Sequence, residues 1–190
     1  MPRAGLDPDK VTAAAAALAD EVGLPGVTMG ALAERLSVKA PSLYKHVAGQ
    51  AELQQRIAVL AVVELGDELR DAIQGRSGRD ALTAAASAVR RFVVEHPGRY
   101  AATIRITGDP HDEPLAAAGA RVLESLAAVL AAYDLQPGDT VHALRMLRSV
   151  FTGFATLEAA GGFQLDTDVE ESFAWLVDFC DRGLRARSGQ

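Results

Sequence analysis

Apolar side chains recur along this chain at spacings of three and four, the repeat of a helix with one buried face, and the repeat breaks at Gly and Pro. Val11, Ala14, Ala15, Leu18 and Val22 form the first stripe. Asp7 ahead of it supplies an acceptor for free first-turn amides and Pro8 a φ already suited to that turn, which predicts a helix over Pro8–Val22. Thr28 is the next cap, before a short helix whose Leu32 and Leu36 lie four apart. Pro41 favours a third start, so residues 37–40 read as a tight turn and Pro41–Val47 as a third helix. After the Ala48-Gly49 break, Leu53, Ile57, Leu60, Val63 and Leu65 predict a long helix ending between Leu69 and Ile73. Gly75–Gly78 is a connector. Arg79–Glu95 follows, with Leu82, Ala85, Val89, Phe92 and Val93 on one face and Pro97-Gly98 as its stop.

Residues 103–107 alternate like a strand, but no partner strand is evident, so Tyr100–Thr107 is read as a short helix and residues 108–112 as a loop. Leu115–Tyr133 and Pro137–Ala160 are the next two helices, the latter with Val141, Leu144, Leu147, Phe151, Phe154 and Leu157 in register and Gly161-Gly162 at its end. Thr167-Asp168-Val169-Glu170 has the spacing of a capping box. The last helix closes near Leu184, with acids at its start and Arg182, Arg185 and Arg187 at its end, as the helix dipole favours. The fold class is all-α, with about nine helices.

Composition narrows the roles. The 190 residues, 49% of them hydrophobic, suffice for one well-buried core or a small module on a larger helical body. A net charge of −6 repels nucleic acid unless positive charge is gathered locally. It is gathered between Arg35 and His46, where Arg35, Lys39 and Lys45 occur with no carboxylate. Cys180 is the only cysteine, which excludes an internal disulfide and a cysteine-based zinc site within one chain; its neighbours Phe173, Leu176, Val177 and Phe179 suggest packing. No metal site and no cofactor are expected. The apolar run Ile57–Leu65 is broken by Glu64 and falls short of the roughly 20 residues that cross a bilayer. Residues 1–7 have no apolar signal core. The expectation is a cytoplasmic protein without a membrane role.

A helix-turn-helix needs a bracing helix, a tight turn and a second short helix whose outer face fits the major groove. Met29–Leu36, residues 37–40 and Pro41–Val47 supply these parts. Leu43 and Val47 face inward, leaving Ser42, Tyr44, Lys45 and His46 outward and Lys39 in the turn. The runs Thr28-Met29-Gly30-Ala31-Leu32-Ala33, Leu36-Ser37-Val38 and Pro41-Ser42-Leu43-Tyr44-Lys45-His46-Val47, with Glu52-Leu53 beyond, resemble the DNA-binding pattern of the tetracycline-repressor (TetR) family. That resemblance implies phosphate contacts from Thr28, Tyr44 and His46, and places Lys39, Ser42 and Lys45 at or near base edges. An ammonium can donate to guanine O6 and N7. Two positions depart from the pattern: Ser37 stands where Gly is common, which costs something if the turn needs positive φ, and Gln50 stands where Lys is common, which weakens a phosphate contact.

The resemblance implies a helix-turn-helix DNA-binding domain over residues 1–50 and a larger helical domain over residues 51–190 for effector binding and dimerisation. Leu157–Phe163 also resembles part of one C-terminal subtype. On this reading the last two helices pair with their mates in a four-helix bundle, and Phe151, Phe154, Leu157, Phe173, Leu176, Val177 and Cys180 offer apolar faces for it. The effector pocket is expected among the fourth to eighth helices, with Tyr100, Met146, Phe151, Phe154 and Trp175 as lining and His142 and Arg145 as polar anchors. The partners implied are a palindromic double-stranded DNA operator, a second copy of the chain and an apolar small molecule. Two other classes remain. An enzyme could use Asp109, His111, Asp112 and Glu113, but these crowd one short loop without a second ligand group at a convincing spacing, and no phosphate-binding Gly loop, nucleophile elbow or paired-His motif occurs. A helical small-molecule carrier would leave the stretch from Lys39 to His46 without a use.

Overall fold

The computed structural model describes residues 6–104 and 113–188, and the described residues hold nine α-helices and no strand. They are α1 (Pro8–Val22), α2 (Met29–Arg35), α3 (Ala40–Leu43), α4 (Gln50–Ile73), α5 (Gly78–Glu95), α6 (Pro97–Ile104), α7 (Glu113–Leu130), α8 (Pro137–Ala159) and α9 (Val169–Arg185). The chain forms two compact units. One comprises the described parts of Met1–Val63 and Glu95–Ala116, the other those of Glu64–Val94 and Ala117–Gln190.

The first unit is built on a core of Leu32, Leu43, Val47, Leu53 and Ile57, each 2% exposed or less, into which Ala102 of α6 is also packed. Full burial of one such aliphatic side chain is worth about 1.5–3 kcal/mol, so the start of α4 and α6 belong to the same hydrophobic unit as α1–α3. The division expected at residue 50 follows the motif, whereas this compact unit extends to Val63 and takes in α6. The α1 boundaries match the sequence reading: the Asp7 carboxylate accepts from the Lys10 amide at 2.8 Å and Pro8 opens the helix. α6 lies hard against the end of α1. A Cβ on Gly98 would stand 1.9 Å from the Ala19 carbonyl oxygen, so only glycine fits there. Asp20 completes the contact, accepting from the Arg99 amide at 2.9 Å and facing Arg99 Nε at 2.9 Å and His96 Nδ1 at 3.2 Å.

The second unit buries Leu82, Val89, Phe92 and Val93 of α5, Leu126 and Val129 of α7, Leu147 and Phe151 of α8, and Val177 and Leu184 of α9. Polar groups inside it are paired. The Tyr133 hydroxyl donates to Asp181 at 2.6 Å, and Asp181 also receives Arg185 Nε at 3.0 Å. Burial, reinforced by that carboxylate, pushes the Tyr133 hydroxyl pKa well up and keeps it a donor. Arg90 of α5 reaches Glu158 of α8 at 2.6 Å through both Nε and Nη2, and Glu170 of α9 at 2.6 and 2.8 Å. Its guanidinium also lies over the rings of Phe173 (4.6 Å) and Phe154 (5.7 Å).

Several details differ from the sequence reading. α3 is only four residues long, not Pro41–Val47, because the chain leaves it through a hydrogen-bonded turn in which Leu43 O accepts from both His46 N and Val47 N. Pro97 opens α6 as well as following α5, since its fixed φ suits a first turn. The cap of α9 is Asp168, whose carboxylate accepts from the Glu170 amide at 2.7 Å, and not Thr167; the Glu170 carboxylate goes to Arg90 instead of closing a capping box. The run Glu113–Tyr133 is long and apolar enough to cross a bilayer by length and composition alone, exceeding the Ile57–Leu65 run; Ala118, Ser125, Leu126, Val129, Leu130 and Tyr133 within it are buried in the protein. Residues 105–107 of the ambiguous segment, and Asp109, His111 and Asp112 of the acidic loop, lie outside the described residues. Glu113 opens α7.

Candidate functional site

The α2–turn–α3 segment presents its polar residues because the turn is tightly determined. Leu36 N donates to Leu32 O at 3.0 Å, Ser37 N to Glu34 O at 3.0 Å and Val38 N to Ala33 O at 2.9 Å, which closes α2 through a left-handed residue. That residue is Ser37, at φ 54°. The turn therefore does require positive φ, and the serine carries the Cβ clash that glycine avoids, worth roughly 1 kcal/mol. Ser37→Gly is expected to raise stability by about 0.5–1 kcal/mol, read as a higher thermal midpoint; a lower midpoint would show the turn to be relaxed as it stands.

Beyond the turn, Lys39 is extended and Ser42 N returns to Lys39 O at 2.8 Å, so α3 begins at once. Leu43 and Val47 point into the core, at 0% and 2% exposure. Lys39, Tyr44 and Lys45 are exposed, and Ser42 and His46 half-buried beside them. Tyr44, at 56% exposure, is no core aromatic. Thr28 caps α2 by accepting from the Ala31 amide at 3.1 Å, which leaves its hydroxyl proton available to an outside acceptor. The six residues singled out from sequence thus lie on or beside one short helix-turn-helix.

Charge is distributed unevenly over this face. Arg35 is held by Glu21 through two bonds of 2.7 and 2.8 Å, whereas Lys39 and Lys45 meet no carboxylate among the described residues. Gln50 has a task that the sequence did not reveal: its side-chain amide donates to Val27 O at 2.5 Å, tying the start of α4 to the segment before α2. Glu52, two residues on, accepts from the Ala48 amide at 2.5 Å. That bond, with the Arg56 guanidinium second, holds the Glu52 carboxyl below the usual carboxylate range.

In the second unit, α8 and α9 border an open groove of about 480 Å³, whose lining includes His142, Met146, Trp175, Leu176, Phe179 and Cys180. Trp175 and Phe179, one turn apart, stack at 5.4 Å and are 63% and 60% exposed. Of the residues expected at an effector pocket, His142, Met146 and Trp175 meet in this groove, and Arg145 is exposed on α8. Phe151 and Phe154 lie inside the second unit, and Tyr100 is buried in the first. Among the residues expected to pair two chains, Phe151, Phe154, Phe173, Val177 and Cys180 are buried within their own chain, Leu176 is half-buried and Leu157 is exposed. Phe154 packs between Phe163 (4.7 Å) and Phe173 (5.3 Å). The sequence reading did not select Phe179 for this face, although its spacing of four from Trp175 was visible.

Comparison with known proteins yields matches at both ends of the chain. Residues 11–57 match the family described as bacterial regulatory proteins, tetR family, and residues 82–180 match the tetracyclin repressor-like C-terminal domain. An uncharacterized HTH-type transcriptional regulator of Bacillus subtilis (strain 168), YobS, is 32% identical over 181 residues, covering 93% of this chain and 91% of its own. A TetR variant from Acinetobacter baumannii AYE, solved in complex with minocycline, superposes with a TM-score of 0.71 at 25% identity over 97% of this chain and 100% of its own. BioQ, solved with its natural double-stranded DNA operator, superposes at 0.68 with 21% identity, over 96% of this chain and 99% of its own.

Proposed function

The chain belongs to the TetR family of bacterial helix-turn-helix transcriptional regulators, a family of regulators and not of enzymes, and on that premise we propose that it is a homodimeric repressor released from a palindromic operator by a small apolar effector. The observation that carries the reading is the exposed set Lys39, Tyr44 and Lys45, with Ser42 and His46 beside them, on a turn and helix whose inner residues are fixed in the core. A free exposed tyrosine next to two uncompensated lysines serves no packing purpose. On phosphates and base edges each has one: Thr28, Tyr44 and His46 donate to phosphate oxygens, while Lys39, Ser42 and Lys45 reach into the major groove.

One such short helix reads a half-site only. Two copies placed about 34–36 Å apart enter successive major grooves of a palindrome, and the α8–α9 groove is the surface suited to bring them together. Trp175 and Phe179 stand 63% and 60% exposed there, beside the half-buried Leu176, an apolar face open to a partner. His142 and Met146 line the same groove, Leu176 comes to it from the set expected at the interface, and Phe151, Phe154, Phe173 and Val177 of that set are buried in their own chain. Trp175→Glu is accordingly expected to yield a monomer by sedimentation at micromolar concentration and to weaken operator binding; a variant that stays dimeric removes this face from the proposal.

Control by an effector is a population shift: a ligand that binds better to the arrangement unable to span both half-sites releases DNA, and equal affinity for both arrangements shifts nothing. The A. baumannii relative holds minocycline and BioQ an operator, which supports both halves of the scheme, acting in the cytoplasm where the operator lies. The test is selection of bound sequences from a random DNA pool by the purified protein. A palindromic winner whose affinity falls with salt supports the reading; absence of enrichment by a folded dimer, with and without prior stripping of bound small molecules, overturns it.

A further inference from the structure

The first turn of α4 is bonded to the backbone at both ends of the helix-turn-helix. Gln50, which opens α4, donates its side-chain amide to Val27 O at 2.5 Å, and Glu52 accepts from the Ala48 amide at 2.5 Å. Val27 precedes Thr28 and Ala48 follows Val47, so these bonds meet the residues just outside the motif on either side. Glu52 is fixed in turn by Arg56, whose Nε donates to it at 2.8 Å. Gln50 therefore reaches Val27 from a helix end that is itself held, and all of these residues belong to the first unit. The carbonyl it takes shares a peptide plane with the Thr28 amide. The Val27 side chain is buried, at 1% exposure; with the carbonyl bonded as well, the plane that leads into Thr28 has little freedom to turn. Thr28 is exposed and its Oγ1 already accepts from the Ala31 amide at 3.1 Å, so where its hydroxyl proton points follows from where the backbone sets the residue.

We propose that Gln50 is a positioning residue for operator binding: by holding the Val27 carbonyl it aims the Thr28 hydroxyl at a backbone phosphate. The proposal rests on the DNA-binding reading above and deepens it. A lysine at this position would offer a charge to phosphate, whereas the glutamine is neutral and spends an amide proton on Val27. Its contribution runs through Thr28 and not through a contact of its own. Two other roles predict different behaviour. A direct bond from the second amide proton to phosphate would act independently of Thr28. A bond that only stabilises the fold would shift the unfolding equilibrium and leave the affinity of the folded protein as it is.

The experiment is a double-mutant cycle on operator affinity, measured with the full-length protein on its selected operator, well below the thermal midpoint of every variant. Gln50→Met keeps the length of the side chain without its donor, and Thr28→Val removes the hydroxyl. Each single variant is expected to weaken binding on the order of tenfold, as loss of an aligned hydrogen bond to a charged group does. With Thr28→Val already present, Gln50→Met should weaken it by less than about twofold more. Thr28→Val also gives up the α2 cap; if it fails to fold by circular dichroism, Thr28→Gly takes its place, since glycine caps nearly as well and has no hydroxyl. Equal losses from Gln50→Met in both backgrounds mean a direct contact and overturn the proposal. So does unchanged affinity in Gln50→Met beside a lowered thermal midpoint, which means a structural bond alone, and so does unchanged affinity in the Thr28 variant. A parent protein that enriches no operator overturns the repressor reading itself and this proposal with it, so the two failures are told apart.

Discussion

Replacing Tyr44 and Lys45 together by Ala is expected to remove operator binding while leaving the fold intact. Both side chains are exposed and neither enters the core, so the thermal midpoint should move little: surface changes of this kind stay within about 0.5 kcal/mol. Binding should respond far more. A phosphate contact and a base-edge contact, at about 1–3 kcal/mol each and present twice in a dimer, give a loss on the order of a thousandfold or more. The single variants divide the two roles. Tyr44→Phe removes only the hydroxyl, weakening all operators alike. Lys45→Ala removes two charges per dimer, so if they lie on phosphates the slope of log affinity against log salt should become shallower by roughly two. If Lys45 reads a base, the slope changes less and discrimination at one position of each half-site relaxes instead. A double variant that still binds the selected operator within threefold of the original would sink the helix-turn-helix reading.

Much of this site was legible because its determinants are local. Asp7-Pro8 and Thr28 cap α1 and α2 as their side-chain chemistry demands, and Val47 joins Leu43 in the core, with Tyr44 and Lys45 exposed between them, because the turn after α3 returns Val47 N to Leu43 O. The doubt raised by Ser37 is resolved by its φ of 54°. The structural task of Gln50 was not legible for an intelligible reason: its partner is a backbone carbonyl 23 positions away, and no local pattern encodes such a bond. The same holds for Glu170, which a capping-box spacing assigned to its own helix while Arg90, 80 positions earlier, takes it.

The second unit was harder because α8 and α9 are apolar over more than one face. On α9 the residues Phe173, Leu176, Val177 and Cys180 form one stripe and Trp175 and Phe179 another, and periodicity cannot say which stripe the chain itself covers. Packing decides: Phe173, Val177 and Cys180 turn inward, whereas Trp175 and Phe179 stay out. For the same reason sequence could not tell that Phe151 and Phe154, assigned to both pocket and interface, are buried within their own chain, at 1% and 9% exposure. The tract Leu157–Phe163, notable in sequence only for its resemblance, has concrete tasks: Gly161 ends α8 with φ 65°, Phe163 packs on Phe154, and Glu158 meets Arg90.

That last pairing sets the largest stability effect we expect. The Arg90 side chain is 13% exposed and bonds two carboxylates, Glu158 at 22% and Glu170 at 74% exposure. The two hydrogen-bonded carboxylates hold the guanidinium pKa well above its ordinary value, so the charge is permanent and its removal cannot be relieved by titration. Arg90→Met keeps much of the apolar stem but leaves Glu158 half-enclosed with its partner gone and the Phe173 ring uncovered. Breaking a buried pair by deleting one partner costs about 3–5 kcal/mol; partial access of water to Glu158 reduces that to about 2–4 kcal/mol here. Glu170→Gln should cost far less than Arg90→Met, because a mostly exposed pair is screened, and Glu158→Gln should fall between the two. Urea unfolding at one fixed protein concentration, which holds any subunit association constant, reads the order directly. Equal effects from the two glutamate variants would mean that exposure does not grade these contacts. An Arg90→Met variant unfolding within about 0.5 kcal/mol of the original would show that the tilted aromatic cluster of Phe154, Phe163 and Phe173, and not the charge network, joins α8 to α9.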